Sequence, residues 1–315
     1  MKSSAKIGGA KSRSLRDRLT VWRELLTECG RRPTRKRVHA LRVVTLRIQA
    51  EVEQELNDLP CASHEAQAML RFGKLAEKLR DALGSVRELD VWIGKLRKLP
   101  QSLNSTAGYV PRSTQETIRQ IAKLETRLGR KRERAGLKLA AEIAKRHRGL
   151  LSAARDFEEG SSGRAHEMEG NLASHLLNEF AQAAAEFPVF DESNLHDFRK
   201  RIKKIRYLAE LHLAYPACER IGAQMRKAQS AVGEWHDWHV LARTAIRGKH
   251  AKDTASGDLL NSLAAESYEE AIAICEGVIR KMSDLNQSGG AAFGHMRKPP
   301  VRSENRIPES ATKLA

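Results

Sequence analysis

The stretch Leu195 to Glu210 reads LHDFRKRIKKIRYLAE and concentrates side chains that can hold an anion. At 100° per residue on a helix, His196, Arg199, Lys200, Lys203, Arg206 and Tyr207 share one side. Leu195, Phe198, Ile202, Ile205 and Ala209 take the other, so the helix packs through its apolar face and offers its cations. Guanidinium groups fork two N–H bonds onto phosphate oxygens, and lysine adds a compact point charge. A single basic face is commonly no more than solvated surface. Here the pattern occurs twice.

VHALRVVTLRI (Val38 to Ile48) aligns without a gap on LHDFRKRIKKI (Leu195 to Ile205), 157 residues later. His39 matches His196, Arg42 matches Arg199, and Arg47 matches Lys204. Downstream, LGSVRELDV (Leu83 to Val91) resembles VGEWHDWHV (Val232 to Val240), pairing Gly84 with Gly233 and Glu88 with Asp237. Lys78 and Lys227 precede those glycines at the same distance. Repeated order of this kind implies two similar helical bundles related by duplication. Arg71, Lys74 and Lys78 form a further basic stripe at helical spacing. Arg35, Lys36 and Arg37 crowd the first turn of the His39 helix, the wrong sign for the dipole there unless an anion docks.

The elements that must position these residues are all helical by their apolar period. Helices are expected over Ser14–Cys29, from an N-cap at Thr34 to about Asp58, over Ser63–Leu83, and over Ser85–Leu99 after a break at Gly84. The charged segment Ser113–Phe157 follows, with RKRER at Arg130–Arg134 read as solvated. Beyond it helices are expected over Leu172–Glu186, Ser193–Ala214, Ala217–Val232, Glu234–Gly248 and Gly257–Asp284. No stretch alternates with period two, so the fold class is all-α. The layout is a disordered basic N-terminus (1–12), a first bundle (13–157), a GSSG-containing linker (158–170), a second bundle (171–285) and a disordered tail (286–315).

The formal charge of +17 points to a polyanionic partner, and the 41% hydrophobic content supports a buried core. Aromatics at 5% weigh against single-strand recognition by base stacking. Cys29, Cys61, Cys218 and Cys275 are isolated, which fits reduced thiols rather than a zinc or redox motif. Neither an apolar leader nor a membrane-length apolar run is visible, so a cytoplasmic, soluble protein is expected.

These motifs resemble the CHAD family, named for a histidine in an α-helical domain, over about Leu15 to Ser283. The second signature helix is kept through His196, Arg199, Lys203, Arg206 and Tyr207. The first keeps Val38, His39, Arg42, Val43 and Arg47, with Leu46 and Gln49 where basic residues are usual and Glu88 where Asp is usual. The resemblance implies two four-helix bundles flanking a basic cavity or groove. It also implies binding of inorganic polyphosphate, often at intracellular granules, with no cofactor and no catalysis. The binding set is then Arg35, His39, Arg42, Arg47, Arg71, Lys74 and Lys78 from the first half. From the second half it is His196, Arg199, Lys200, Lys203, Arg206, Tyr207 and Lys227. The histidines, lying among cations, are expected to be neutral. The losses at Leu46 and Gln49 make the second half the stronger binder on this reading.

Two other classes compete. A basic helical protein meets the electrostatic criterion for nucleic acid, although no helix-turn-helix, finger or RRM signature is present. His196-Asp197 and His236-Asp237 are similar to the HD pairs of metal-dependent phosphohydrolases, whose sites need further ligands from other helices.

Overall fold

The computed structural model describes residues 14–57, 59–60, 63–100, 112–161, 172–213, 215–246 and 254–292. Among them the protein is all-α. The helices are α1 (Leu15–Arg31), α2 (Arg35–Asn57), α3 (His64–Leu96), α4 (Arg112–Gly160), α5 (Leu172–Glu186), α6 (Leu195–Leu211), α7 (Pro216–Ile246) and α8 (Thr254–Ala292).

Local chemistry explains the starts. The Ser14 hydroxyl accepts from the Asp17 amide while the Asp17 carboxylate accepts from the Ser14 amide, a reciprocal capping box. Thr34 caps α2 as expected: its hydroxyl accepts from the Arg37 amide and its carbonyl from the Val38 amide. Asp191 ties the amides of Ser193 and Asn194 into a turn, so α6 begins at Leu195 rather than Ser193.

Gly84 and Gly233 do not interrupt their helices; α3 and α7 each run straight through. A glycine costs a helix interior about 1 kcal/mol relative to alanine. The buried neighbours Leu83, Val86, Val232 and Trp235 outweigh that cost. Their bare backbone instead admits a guanidinium. A Cβ on Gly84 would stand 3.9 Å from Arg42 Nη2, and one on Gly233 would stand 3.5 Å from Arg199 Nη2. Two expected boundaries also shift. α4 continues to Gly160, held by Glu158 pairing with Arg23, and residues 162–170 of the expected linker lie outside the described residues. α8 passes Asp284 because Leu285 still packs on the second core, so residues 286–292 of the expected tail are helical.

The first four helices close around Trp22, Phe72 and Phe157, with Phe72 and Phe157 stacked at 5.2 Å. The last four close around Phe198, against which Phe180, Phe187 and Phe190 pack. A third apolar cluster binds the halves together. It joins Leu89, Trp92 and Leu96 of α3 and Ile121 and Leu124 of α4 to Leu241 of α7 and Leu260 of α8. The described cysteines, Cys29, Cys218 and Cys275, are free and buried. Among the described residues no helix is long and apolar enough to cross a membrane.

The RKRER segment is not uniformly solvated. Arg132 turns inward across the buried Gly136, donating to Asp90 at 2.9 Å and to the Pro33 carbonyl at 2.6 Å. Asp90 is only 6% exposed. Stranding a buried carboxylate is expensive, so Arg132→Ala should cost about 3 kcal/mol. Arg130→Ala, on the exposed side, should cost less than about 0.5 kcal/mol. Chemical denaturation of both variants checks this, and equal losses would contradict the assignment.

Candidate functional site

The site is built where α2 and α6 pack across the two halves. Arg47 of α2 pairs with Glu210 of α6 at 3.5 Å, and Lys204 of α6 pairs with Glu53 of α2 at 3.2 Å. By the repeat, Arg47 corresponds to Lys204 and Glu53 to Glu210. Each helix therefore gives one cation and one carboxylate to the other. Glu210 is the stronger anchor. Its side chain is 4% exposed and accepts from Arg206 Nε at 2.9 Å, with Arg226 at 3.2 Å and Arg47 beside it. Burial pushes this carboxyl up, but the Arg206 hydrogen bond and the three arginine charges hold it below its usual range.

With the helices clasped in this way, their cationic faces meet. Arg42 from α2 and Arg199 from α6 are both half-buried, and burial depresses both guanidinium groups; neighbouring arginines add to this, while Tyr207 and Glu88, and at Arg199 also Asp237, oppose it. Lys203 is pushed down to about 8, by burial and then by Arg42, Arg199, Arg80 and Arg206. Arg80 of α3 is a member that the basic-helix pattern missed. It donates to Gln49 Oε1 at 3.5 Å, while Arg206 donates to Gln229 Oε1 at 3.1 Å. In the repeat Gln49 corresponds to Arg206 and Arg80 to Gln229, so guanidinium and amide have changed places between the halves. Arg80 also pairs with Glu77 and Asp81, each at 3.0 Å, so the guanidinium that α3 brings to Gln49 is one that two carboxylates already hold. Leu46 is buried and has joined the packing.

One end of the cluster holds His196, whose ring lies 4.7 Å from that of His236. Burial, then His196 and Arg199, bring His236 down to about 4. Asp237 is raised by burial to about 6 although Lys95 and Arg199 act against the rise. His196 Nδ1 and Arg199 Nε are buried and without a hydrogen-bond partner among the described residues. A buried donor left unpaired costs about 1–3 kcal/mol. An anion's oxygens are the acceptors this array fits.

The family profile for the CHAD domain matches residues 10–245. The chain belongs to the CHAD family. Among solved structures it is similar to PptA from Streptomyces chartreusis, with a TM-score of 0.52 at 15% identity, covering 86% of this chain and 99% of that one. A search of curated proteins found no match.

Within this CHAD protein the sequence-derived set divides. His39, Arg42, His196, Arg199, Lys203 and Arg206 converge, and both histidines are held below the usual imidazole range by desolvation first and neighbouring cations second. The Arg35 guanidinium lies against Gly94 beside Arg87, a further α3 cation missed from sequence. Arg47, like Arg206, is ion-paired to Glu210. Tyr207 is buried under the Arg206 guanidinium, 4.9 Å from its ring, and is not at a groove edge. Lys200 is exposed and bound to Asp197 at 2.8 Å, which also occupies the carboxylate of the first HD pair. Arg71 is a correction: it pairs with Asp156 of α4 at 3.1 Å, about 180° around α3 from Arg80. Lys74, Lys78 and Lys227 are exposed and bind nothing in the cluster. Lys78 and Lys227 stand about 120° from the paired glycines. Arg226, one residue before Lys227, is exposed but reaches Glu210 at 3.2 Å.

Because the folded value for Lys203 lies below the unfolded value of about 10.4, charging it costs stability as pH falls toward 8. Removing a neighbouring cation should raise the folded value. Titration of the lysine side chains by NMR is expected to place Lys203 above 8 in Arg42→Gln and Arg80→Gln. An unmoved value would show that these charges do not share one space.

Proposed function

We propose that this CHAD protein binds inorganic polyphosphate in the cleft between α2 and α6, without catalysing a reaction, and associates with polyphosphate granules. The carrying observation is the convergence of Arg42, Arg80, Arg199, Lys203 and Arg206 from α2, α3 and α6, with unpartnered buried donors among them. Polyphosphate offers repeated charge and oxygens but no base to stack or read. The cluster matches it: Tyr207 is buried, and among the described residues no phenylalanine, tyrosine or tryptophan is exposed as a platform for bases. Rigid helices fix the spacing of the donors, and anchoring by Glu210 limits the side-chain entropy lost on binding. Duplication of an ancestral bundle accounts for the exchanged Arg47–Glu210 and Lys204–Glu53 pairs. The competing reading, a nucleic-acid binder, draws on the same charge but lacks base-facing groups in the cleft.

Affinity should fall with log salt at a slope of about −3 to −4 if five cations each neutralise a phosphate, at about −0.7 per contact on a single-stranded polyanion. Joint reversal of Arg199, Lys203 and Arg206 to Glu should abolish binding of short-chain polyphosphate, read by calorimetry, with circular dichroism unchanged. Joint change of Arg42 and Arg80 to Gln should weaken it by about 10²-fold, the loss of two charge-assisted contacts. Retained affinity in the triple variant, or displacement by DNA at equal phosphate concentration, would overturn the reading. For the granule role, a tagged protein should form foci in cells refed with phosphate.

A further inference from the structure

Away from the cleft, the outer face of α4 carries a second cationic surface. From Thr126 to Ala141 the one acid is Glu133, against Arg127, Arg130, Lys131, Arg132, Arg134 and Lys138. Arg132 turns inward and Arg127 touches the Thr244 carbonyl. Lys123, Arg130, Lys131 and Arg134 are exposed and make no ion pair or hydrogen bond among the described residues. They line a shallow recess with Thr126 and Arg127. Arg97 and Arg201 show the contrast, each ion-paired to a glutamate, Glu125 and Glu186. On this face of α4 four exposed cations gather without such a pair among the described residues. With Lys138 and Lys145 it extends from Lys123 over about 33 Å at 1.5 Å per residue.

This face cannot belong to the cleft. α4 packs on α1, α3 and α8, and its inward Arg132 meets α3 at Asp90. Asp90 lies about 120° around α3 from Gly84, which faces the cleft. The stripe points outward from the opposite side of α4. One straight segment of a polyanion cannot lie on both surfaces.

We infer that the outer face of α4 is a second polyphosphate-binding surface, so that one protein molecule bridges two segments of the polymer and cross-links it. The occupant is set by charge complementarity: a row of unneutralised cations with no base-reading group matches a uniform polyanion. The inference rests on polyphosphate binding in the cleft and adds a valence to it. Two surfaces on one rigid body convert modest contacts into network formation, with gains of about 10²-fold or more when both engage.

Light scattering with long-chain polyphosphate, beside calorimetry with a short chain, separates the two surfaces. The variant K123Q/R130Q/K131Q/R134Q should keep wild-type helicity and bind the short chain within about twofold of wild type. Its long-chain scattering should fall by about 10²-fold, the loss of the second valence. If this variant scatters like wild type, bridging through α4 is overturned while cleft binding stands. If instead the Arg199, Lys203 and Arg206 reversal leaves short-chain affinity intact, the cleft reading fails. Scattering by wild type without polyphosphate would assign the assemblies to self-association and likewise overturn bridging.

Discussion

Like charges held face to face are the condition on which the rest of this structure depends. Arg42, Arg80, Arg199, Lys203 and Arg206 repel one another at close range in partly buried surroundings, where the repulsion is screened little. Something must hold them there. The apolar cluster of α3, α4, α7 and α8 joins the halves at one end, and the Arg47–Glu210 and Lys204–Glu53 pairs clasp α2 to α6. Glu210 alone meets three arginines. The cluster is thus fixed at a cost in stability that a bound anion would remove, and the proposed binding would need no reorganisation of the helices.

The glycines show how the backbone serves that arrangement. In α3 and α7 a bare Cα sits beneath each central guanidinium, and the helix continues through it. Glycine disfavours helix, so Gly84 has the local signature of a break, yet its unfavourable propensity is small beside the buried leucine and valine on either side. The repeated His-x-x-Arg helices, the all-α class and the Thr34 cap were legible, since they follow from local period and end chemistry. Legibility failed where a residue's task depends on another helix. Arg80 looks like one more surface arginine, paired with Glu77 and Asp81 on its own helix, until its reach to Gln49 of α2 is seen. Arg71 has the spacing of a basic stripe, but the stripe faces Asp156. Arg132 was lost inside a charge run whose neighbours are solvated.

Glu210 teaches the same lesson from the other sign. It closes the stretch Leu195 to Glu210, four residues after Arg206, and its spacing is that of an ordinary helical ion-pair partner worth about 0.2–0.5 kcal/mol. Its burial makes it the anchor of the cleft instead. Gln49–Arg80 and Arg206–Gln229 each join an amide to a guanidinium, which comes from α3 in the first pair and from α6 in the second.

The central claim is that cations from both halves act on one bound anion, and Lys203 reports on it directly. At pH 8 this lysine is about half protonated, and a polyanion seated against it must raise its affinity for protons. Calorimetry of short-chain polyphosphate binding at pH 8, in two buffers of different ionisation enthalpy, measures the protons exchanged. Uptake of about half a proton per protein is predicted, and it should vanish in Lys203→Arg. Binding with no proton uptake, or with the same uptake in the variant, would contradict the account.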